Sequence, residues 1–129
     1  MDIQEIPAHQ KTVYSVALSH DSDLLITASM DKTVKVYKKD PEDDVYSQFQ
    51  VLEAHEKAVY GVAISKNKEF LVTGSEDNQL KVWYSEGEGS KYHLFEVVKD
   101  HTHIVYCVAI SENGQYAVSG SFDRTLRVY

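Results

Sequence analysis

Residues 13–19 read VYSVALS, residues 59–65 VYGVAIS and residues 105–111 VYCVAIS. Each copy follows the last by 46 residues. His9, His55 and His101 keep the same step, as do Asp31, Asp77 and Asp123, and the aromatic set Tyr37, Trp83 and Tyr129. Between these anchors the segments vary freely (SHDSD, SKNKE, SENGQ), so a few positions hold the register. A period of this size marks a supersecondary unit that cannot bury both its faces alone and is stable beside its neighbours.

The unit reads as β structure. VYSVALS, LLITAS and VKVY are short runs rich in Val, Ile, Leu, Thr and Tyr, bounded by turn residues, and the second and third copies repeat them as FLVTGS and LKVWY, then YAVSGS and LRVY. A fourth run precedes each His: IQEI, YSQFQVL and YHLFEVV. MDKT, EDNQ and FDRT read as tight turns led by an Asp whose carboxylate accepts local backbone N–H groups. No sustained 3.6-residue apolar period exists, so no helix longer than a turn is expected. The repeats span approximately residues 3–40, 46–85 and 92–129.

The chain has 129 residues, 43% apolar and 26% charged, enough to bury a core. Its net charge of −7 argues against a phosphate backbone as partner and favours a basic protein segment. Cys107 is the only cysteine, which fits a reducing, intracellular compartment, cytoplasmic or nuclear. No apolar run is long enough to span a bilayer, and no signal-peptide pattern opens the sequence.

Four short antiparallel strands per unit resembles three consecutive WD repeats, a β-propeller family. The central GS-x-D element stands as GSED and GSFD, and nearly so as ASMD. The family's opening Gly-His becomes AH, AH and DH; its closing Trp-Asp keeps Trp once, at Trp83. The resemblance implies an all-β fold of three four-stranded antiparallel blades, the last lacking its outer strand. It implies a buried hydrogen-bond chain in each repeat: His9, Asp31 and Thr27; His55, Asp77, Thr73 and Trp83; His101, Asp123 and Ser119. Tyr37 and Tyr129 stand with the first and third sets where Trp83 stands in the second, but a tyrosine hydroxyl sits farther from its ring's attachment point than an indole N–H, so only the second repeat holds the complete set. A hydrolase triad is the rival reading of His, Asp and Ser, but three copies in register read as a scaffold device.

By the same resemblance, Thr12, Tyr14, Met30, Ala58, Tyr60, Glu76, Ile104, Tyr106 and Phe122 crowd the mouth of the channel and form the expected partner-binding face. The expected function is a non-enzymatic protein-interaction scaffold whose partner presents a basic side chain. The alternative is an architectural subunit whose blades complete a larger assembly. Propellers typically have about 4–8 blades, so a chain of three blades is expected to close as a homo-oligomer, dimer or trimer, or to be part of a longer propeller. No cofactor, metal, nucleic acid or membrane is expected. The His101–His103 pair lacks further ligands, the carboxylates of residues 21–23 and 41–44 lack calcium-loop spacing, and Cys107 reads as a small buried filler.

Overall fold

The computed structural model describes residues 3–87 and 89–129. Its strands are β1 (Val13–Leu18), β2 (Leu24–Ser29), β3 (Val34–Lys39), β4 (Tyr46–Leu52), β5 (Val59–Ile64), β6 (Phe70–Ser75), β7 (Leu80–Tyr84), β8 (His93–Val98), β9 (Val105–Ile110), β10 (Ala117–Ser121) and β11 (Leu126–Val128). They form three antiparallel sheets, β1-β2-β3-β4, β5-β6-β7-β8 and β11-β10-β9. These are partial propeller blades, with no helix among the described residues. The run that opens the second repeat, β4, closes the first sheet by pairing with β3. Sheet membership is therefore offset from the sequence repeat by one strand. Two sheets have the expected four strands and the third has three. Residues 3–6, read from the sequence as a strand, form no ladder.

The blades stack face to face. Ile26, Ala28, Val34 and Val36 of the first sheet pack with Val59, Val62, Leu71 and Trp83 of the second. Val72 and Leu80 of the second pack with Ala117 and Val108 of the third. Full burial of a Val or Leu side chain stabilises by about 1.5–3 kcal/mol, so these two seams carry most of the apolar contribution. Gly61 sits where the second and third blades nearly touch. A Cβ there would stand 3.2 Å from the Cα of Cys107, tighter than an ordinary van der Waals contact, so the close approach of β5 to β9 favours a residue without one.

In each blade a histidine bridges the second strand to the following turn. His9 Nδ1 lies 2.8 Å from Asp31 Oδ2, and its Nε2 lies 2.7 Å from Thr27 Oγ1. His55 makes the same two contacts at 2.8 Å each, to Asp77 and Thr73. His101 makes them at 2.7 Å each, to Asp123 and Ser119. In the second blade the Trp83 indole N–H donates to Thr73 Oγ1 at 3.1 Å. Thr73 must then donate its own proton to His55 Nε2, which fixes His55 as the Nδ1–H tautomer donating to Asp77. Tyr37 is buried but is not joined to Thr27 by any described bond, and the Tyr129 hydroxyl is buried without a partner.

The bridge locks the turn. Asp31 Oδ1 accepts the Thr33 amide at 3.0 Å, and the Asp31 amide donates to Ser29 Oγ at 3.0 Å. Ser29 Oγ in turn donates to the Thr12 carbonyl at 2.9 Å. Ser75 and Ser121 repeat this with the carbonyls of Ala58 and His103, at 2.8 and 3.1 Å. The residue after each Asp takes a left-handed conformation, Lys32, Asn78 and Arg124 at φ 76°, 70° and 70°. Such a conformation costs a non-glycine residue on the order of 1 kcal/mol, which the surrounding bonds offset.

The same bonds set the acidity of the carboxyls. Burial pushes Asp31 up, but the Thr33 hydroxyl and amide and then His9 outweigh it and hold the carboxyl at about 2. Burial likewise opposes, and His55 chiefly outweighs it, in lowering Asp77. For Asp123 the Thr125 hydroxyl is the largest cause of a carboxyl well below the usual range.

Two outcomes follow from the bridge. Replacing Trp83 by Phe leaves the Thr73 oxygen without its donor, at a cost of roughly 1–3 kcal/mol, whereas Tyr37→Phe removes no bond to Thr27. Denaturant midpoints of the two variants check this, and equal midpoints would show that the indole N–H contributes nothing. Each Asp is more acidic folded than unfolded, where its ordinary value is about 3.9. The unfolded chain therefore binds protons more readily, and the bridge's contribution is complete above pH about 4 and is lost as pH falls toward about 2. Denaturant titrations across that window should show a falling midpoint, less steep in Asp77→Asn; a flat profile would contradict the bridge.

Candidate partner-binding face

Tyr14, Tyr60 and Tyr106 lie on the inner strands β1, β5 and β9, each at a β-bulge. The ladder pairs Val13 with Ser29 and then Ser15 with Ala28, leaving Tyr14 as the extra residue. Tyr60 is skipped in the same way between Val59 and Gly61, and Tyr106 between Val105 and Cys107. A bulge re-aims the side chain it carries. Here it gathers three rings into one row, with centroids of Tyr14 and Tyr60 4.5 Å apart and those of Tyr60 and Tyr106 4.9 Å apart. Phe122 continues the row, meeting Tyr106 edge-on at 4.9 Å.

The locked turns supply the row's neighbours. The Met30 amide donates to the Thr12 carbonyl at 2.9 Å, Glu76 to Ala58 at 2.9 Å and Phe122 to Ile104 at 3.0 Å. Six of the nine positions read from the sequence are thus paired within their blades, and the three tyrosines meet one another across the blades. They differ in what they offer. Thr12, Tyr14, Met30, Tyr106 and Phe122 are exposed, Tyr60, Glu76 and Ile104 are half-buried, and Ala58 is buried and contributes its carbonyl alone. Burial raises the Tyr60 phenol, with Tyr14 and Glu76 adding to the effect, so it is a neutral hydrogen-bonding group at physiological pH. The formal charge among the nine is Glu76. An aromatic row beside one carboxylate suits an apolar segment carrying a cation.

The histidines, by contrast, lie beneath this surface with their side chains buried. Their rings serve the turns. His103 is exposed and meets the Thr102 hydroxyl at 3.1 Å. Among the described residues no group of His, Cys, Asp and Glu is arranged to hold a metal ion. Cys107 corrects the reading as a buried filler: it is exposed. The equivalent Gly61 is buried because the third blade covers it, whereas no blade among the described residues covers Cys107.

Sequence reading missed a second set of repeated bonds, at the outer strands. The Gln4 side-chain amide grips the Tyr46 backbone from both sides, donating to its carbonyl at 2.9 Å and accepting its N–H at 3.0 Å. Gln50 grips Tyr92 in the same way, at 2.7 and 2.8 Å. The Tyr46 hydroxyl donates to the Ser22 carbonyl at 2.5 Å, and that of Tyr92 to the Lys68 carbonyl. All of these positions keep the 46-residue step, which was the available signal.

Against individual curated proteins the chain has no match. The family described as WD domain, G-beta repeat matches it in three consecutive segments, residues 2–38, 46–84 and 93–129. These segments hold the three bridges, the three bulges and the three locked turns described above. WD-repeat domains are generally protein-interaction scaffolds and are typically non-enzymatic. With nearly its whole length matched, this chain belongs to the WD-repeat family.

Proposed function

We propose that this chain is a non-enzymatic scaffold that binds a partner segment along the row of Tyr14, Tyr60, Tyr106 and Phe122, with a basic side chain of that segment set against the tyrosine rings and Glu76. The observation that supports this best is the bulge at each tyrosine. Three separate blades each depart from regular pairing and bring the same residue type to one surface. Mutual packing of the rings accounts for part of their burial, but Tyr14, Met30, Tyr106 and Phe122 keep exposed apolar surface. A Lys or Arg over such a ring contributes about 0.5–2 kcal/mol. The net charge of −7 favours the same class of ligand and disfavours nucleic acid. The single cysteine fits a reducing compartment, cytoplasmic or nuclear.

A second reading has its own support. Val16 and Leu18 on one side of the chain, and Leu126 and Val128 on the other, are exposed apolar residues on blade faces. They suit an architectural role in which these blades complete a larger propeller. The two readings separate by mutation. Changing Tyr14, Tyr60 and Tyr106 together to Ser should leave a folded protein that no longer binds an arginine-centred peptide, followed by calorimetry. Glu76→Gln should weaken that peptide about two- to fivefold, the loss of one partly exposed ion pair. A folded triple variant that binds the peptide unchanged would place the site elsewhere.

A further inference from the structure

The seam between the first two blades contains a cavity that the described residues leave open. It lies by the start of β2 and the end of β3, hence at the opposite end of the blades from the Met30 turn and the tyrosine row. Its volume is about 50 Å³, and Leu24, Lys38, Phe49, Lys68 and Tyr92 stand in its wall. A bulge brings Phe49 there. The ladder pairs Val36 with Gln50 and then Tyr37 with Gln48, leaving Phe49 as the extra residue on β4. As at the tyrosines, the bulge re-aims the ring it carries, here toward the cavity. Leu24 and Phe49 also pack against the buried core of the seam, so part of the wall is apolar.

The charge beside that ring is unmatched. Lys38 and Lys91 each hold Nζ 5.9 Å from the Phe49 ring centroid. Neither makes an ion pair among the described residues. Lys68 differs: it donates to Asp21 Oδ2 at 2.6 Å and lies 3.9 Å from Asp23 Oδ2, so those two carboxylates are already engaged. In a chain of net charge −7, two such lysines at one ring are a local reversal of sign. The second blade shows what closes a site of this shape. The 46-residue step carries Leu24 to Phe70, Lys38 to Tyr84 and Phe49 to Phe95. Phe95 is a bulged residue too, skipped between the pairs Val82–Glu96 and Trp83–Leu94. There the three rings pack on one another, with centroids 5.4, 6.0 and 6.1 Å apart. The first blade keeps the bulge and its phenylalanine but has a leucine and a lysine in place of the other two rings.

We propose that this cavity docks an acidic segment of a partner protein. An apolar side chain of that segment enters beside Leu24 and Phe49, and carboxylates flanking it meet Lys38 and Lys91. Pockets for free small molecules run to about 300–1,000 Å³, whereas a space of about 50 Å³ takes the end of one side chain. Opposite charge then supplies the rest of the recognition. Every residue used belongs to the first two blades. The site is separate from the tyrosine row and takes a ligand of the opposite charge, so either can fail without the other.

Calorimetry on the full chain with a capped Glu-Asp-Leu-Asp-Glu peptide should show binding that weakens as salt rises from about 50 to about 500 mM, because exposed charges are screened. The same peptide with Gln and Asn for its acids should not bind. Lys38→Gln and Lys91→Gln should each weaken the acidic peptide about two- to fivefold, the loss of one exposed ion pair. Leu24→Phe with Lys38→Tyr copies the second blade and fills the cavity. It should abolish binding of the acidic peptide and leave an arginine-centred peptide unaffected, with circular dichroism and Trp83 fluorescence reporting the native fold. If that pair impairs folding, Lys91→Glu, on an exposed side chain, should weaken the peptide more than Lys91→Gln does. No binding by the wild-type chain, equal binding of the amide peptide, or undiminished binding by the filled or Lys91→Glu variant would each overturn the proposal. Capture by anionic phospholipid vesicles without peptide binding would give the lysines to a membrane surface and overturn it as well.

Discussion

The position of everything at the surface of this protein depends on a buried contact between a histidine and an aspartate, made once in each blade. The histidine follows the outer-strand segment and the aspartate opens a turn two strands later, so the contact ties together parts of the chain 22 residues apart. A histidine, a carboxylate and a hydroxyl are poor residues to bury singly, since each unpartnered group costs on the order of 1–3 kcal/mol. Buried together, they satisfy one another and constrain the backbone around them. The left-handed residue after each Asp and the serine that grips the inner strand are held by the same set of bonds. From that turn the preceding residue, Met30, Glu76 or Phe122, is delivered to the surface beside the tyrosine row.

Repetition converts a local device into a surface. One bulged tyrosine would be a solitary exposed ring; three, on inner strands that lie side by side, make a continuous aromatic strip. The same repetition explains the apolar faces at either side of the chain. Each blade carries a leading and a trailing apolar face because its neighbours require them, and the outermost blades carry them too. Val16 and Val62 occupy equivalent positions, yet one is exposed and the other buried. Position in the stack, and not residue type, decides which.

Much of this could be read from the sequence. The 46-residue step located the strands, and the demand that every buried polar anchor find a partner pointed to His, Asp and Thr or Ser within each repeat. Three things were hidden, for different reasons. A bulge is a relation between two strands, so the displacement of Tyr14, Tyr60 and Tyr106 has no signature in their own run of residues. The exposure of Cys107 depends on a neighbouring blade and not on the residues around it. Gln4 and Gln50 do carry a signal, in their spacing, but a glutamine on an outer strand is ordinarily solvated, so the period alone does not point to a bond. Tyr37 and Tyr129 keep the aromatic bulk of Trp83 without an indole N–H, which is why the second blade has a longer hydrogen-bond chain than the others.

The central claim is that the three buried histidines donate from Nδ1 to aspartate and accept at Nε2 from a hydroxyl. A long-range nitrogen–proton correlation spectrum of the imidazoles, recorded in alkaline buffer, reads this directly. The account predicts that His9, His55 and His101 carry their proton on Nδ1, and that this proton is shielded from exchange with water. The exposed rings of His20, His93 and His103 should exchange freely. A proton on Nε2 with a bare Nδ1 in the buried rings would contradict it, because no histidine N–H would then face the Oδ2 atoms of Asp31, Asp77 and Asp123.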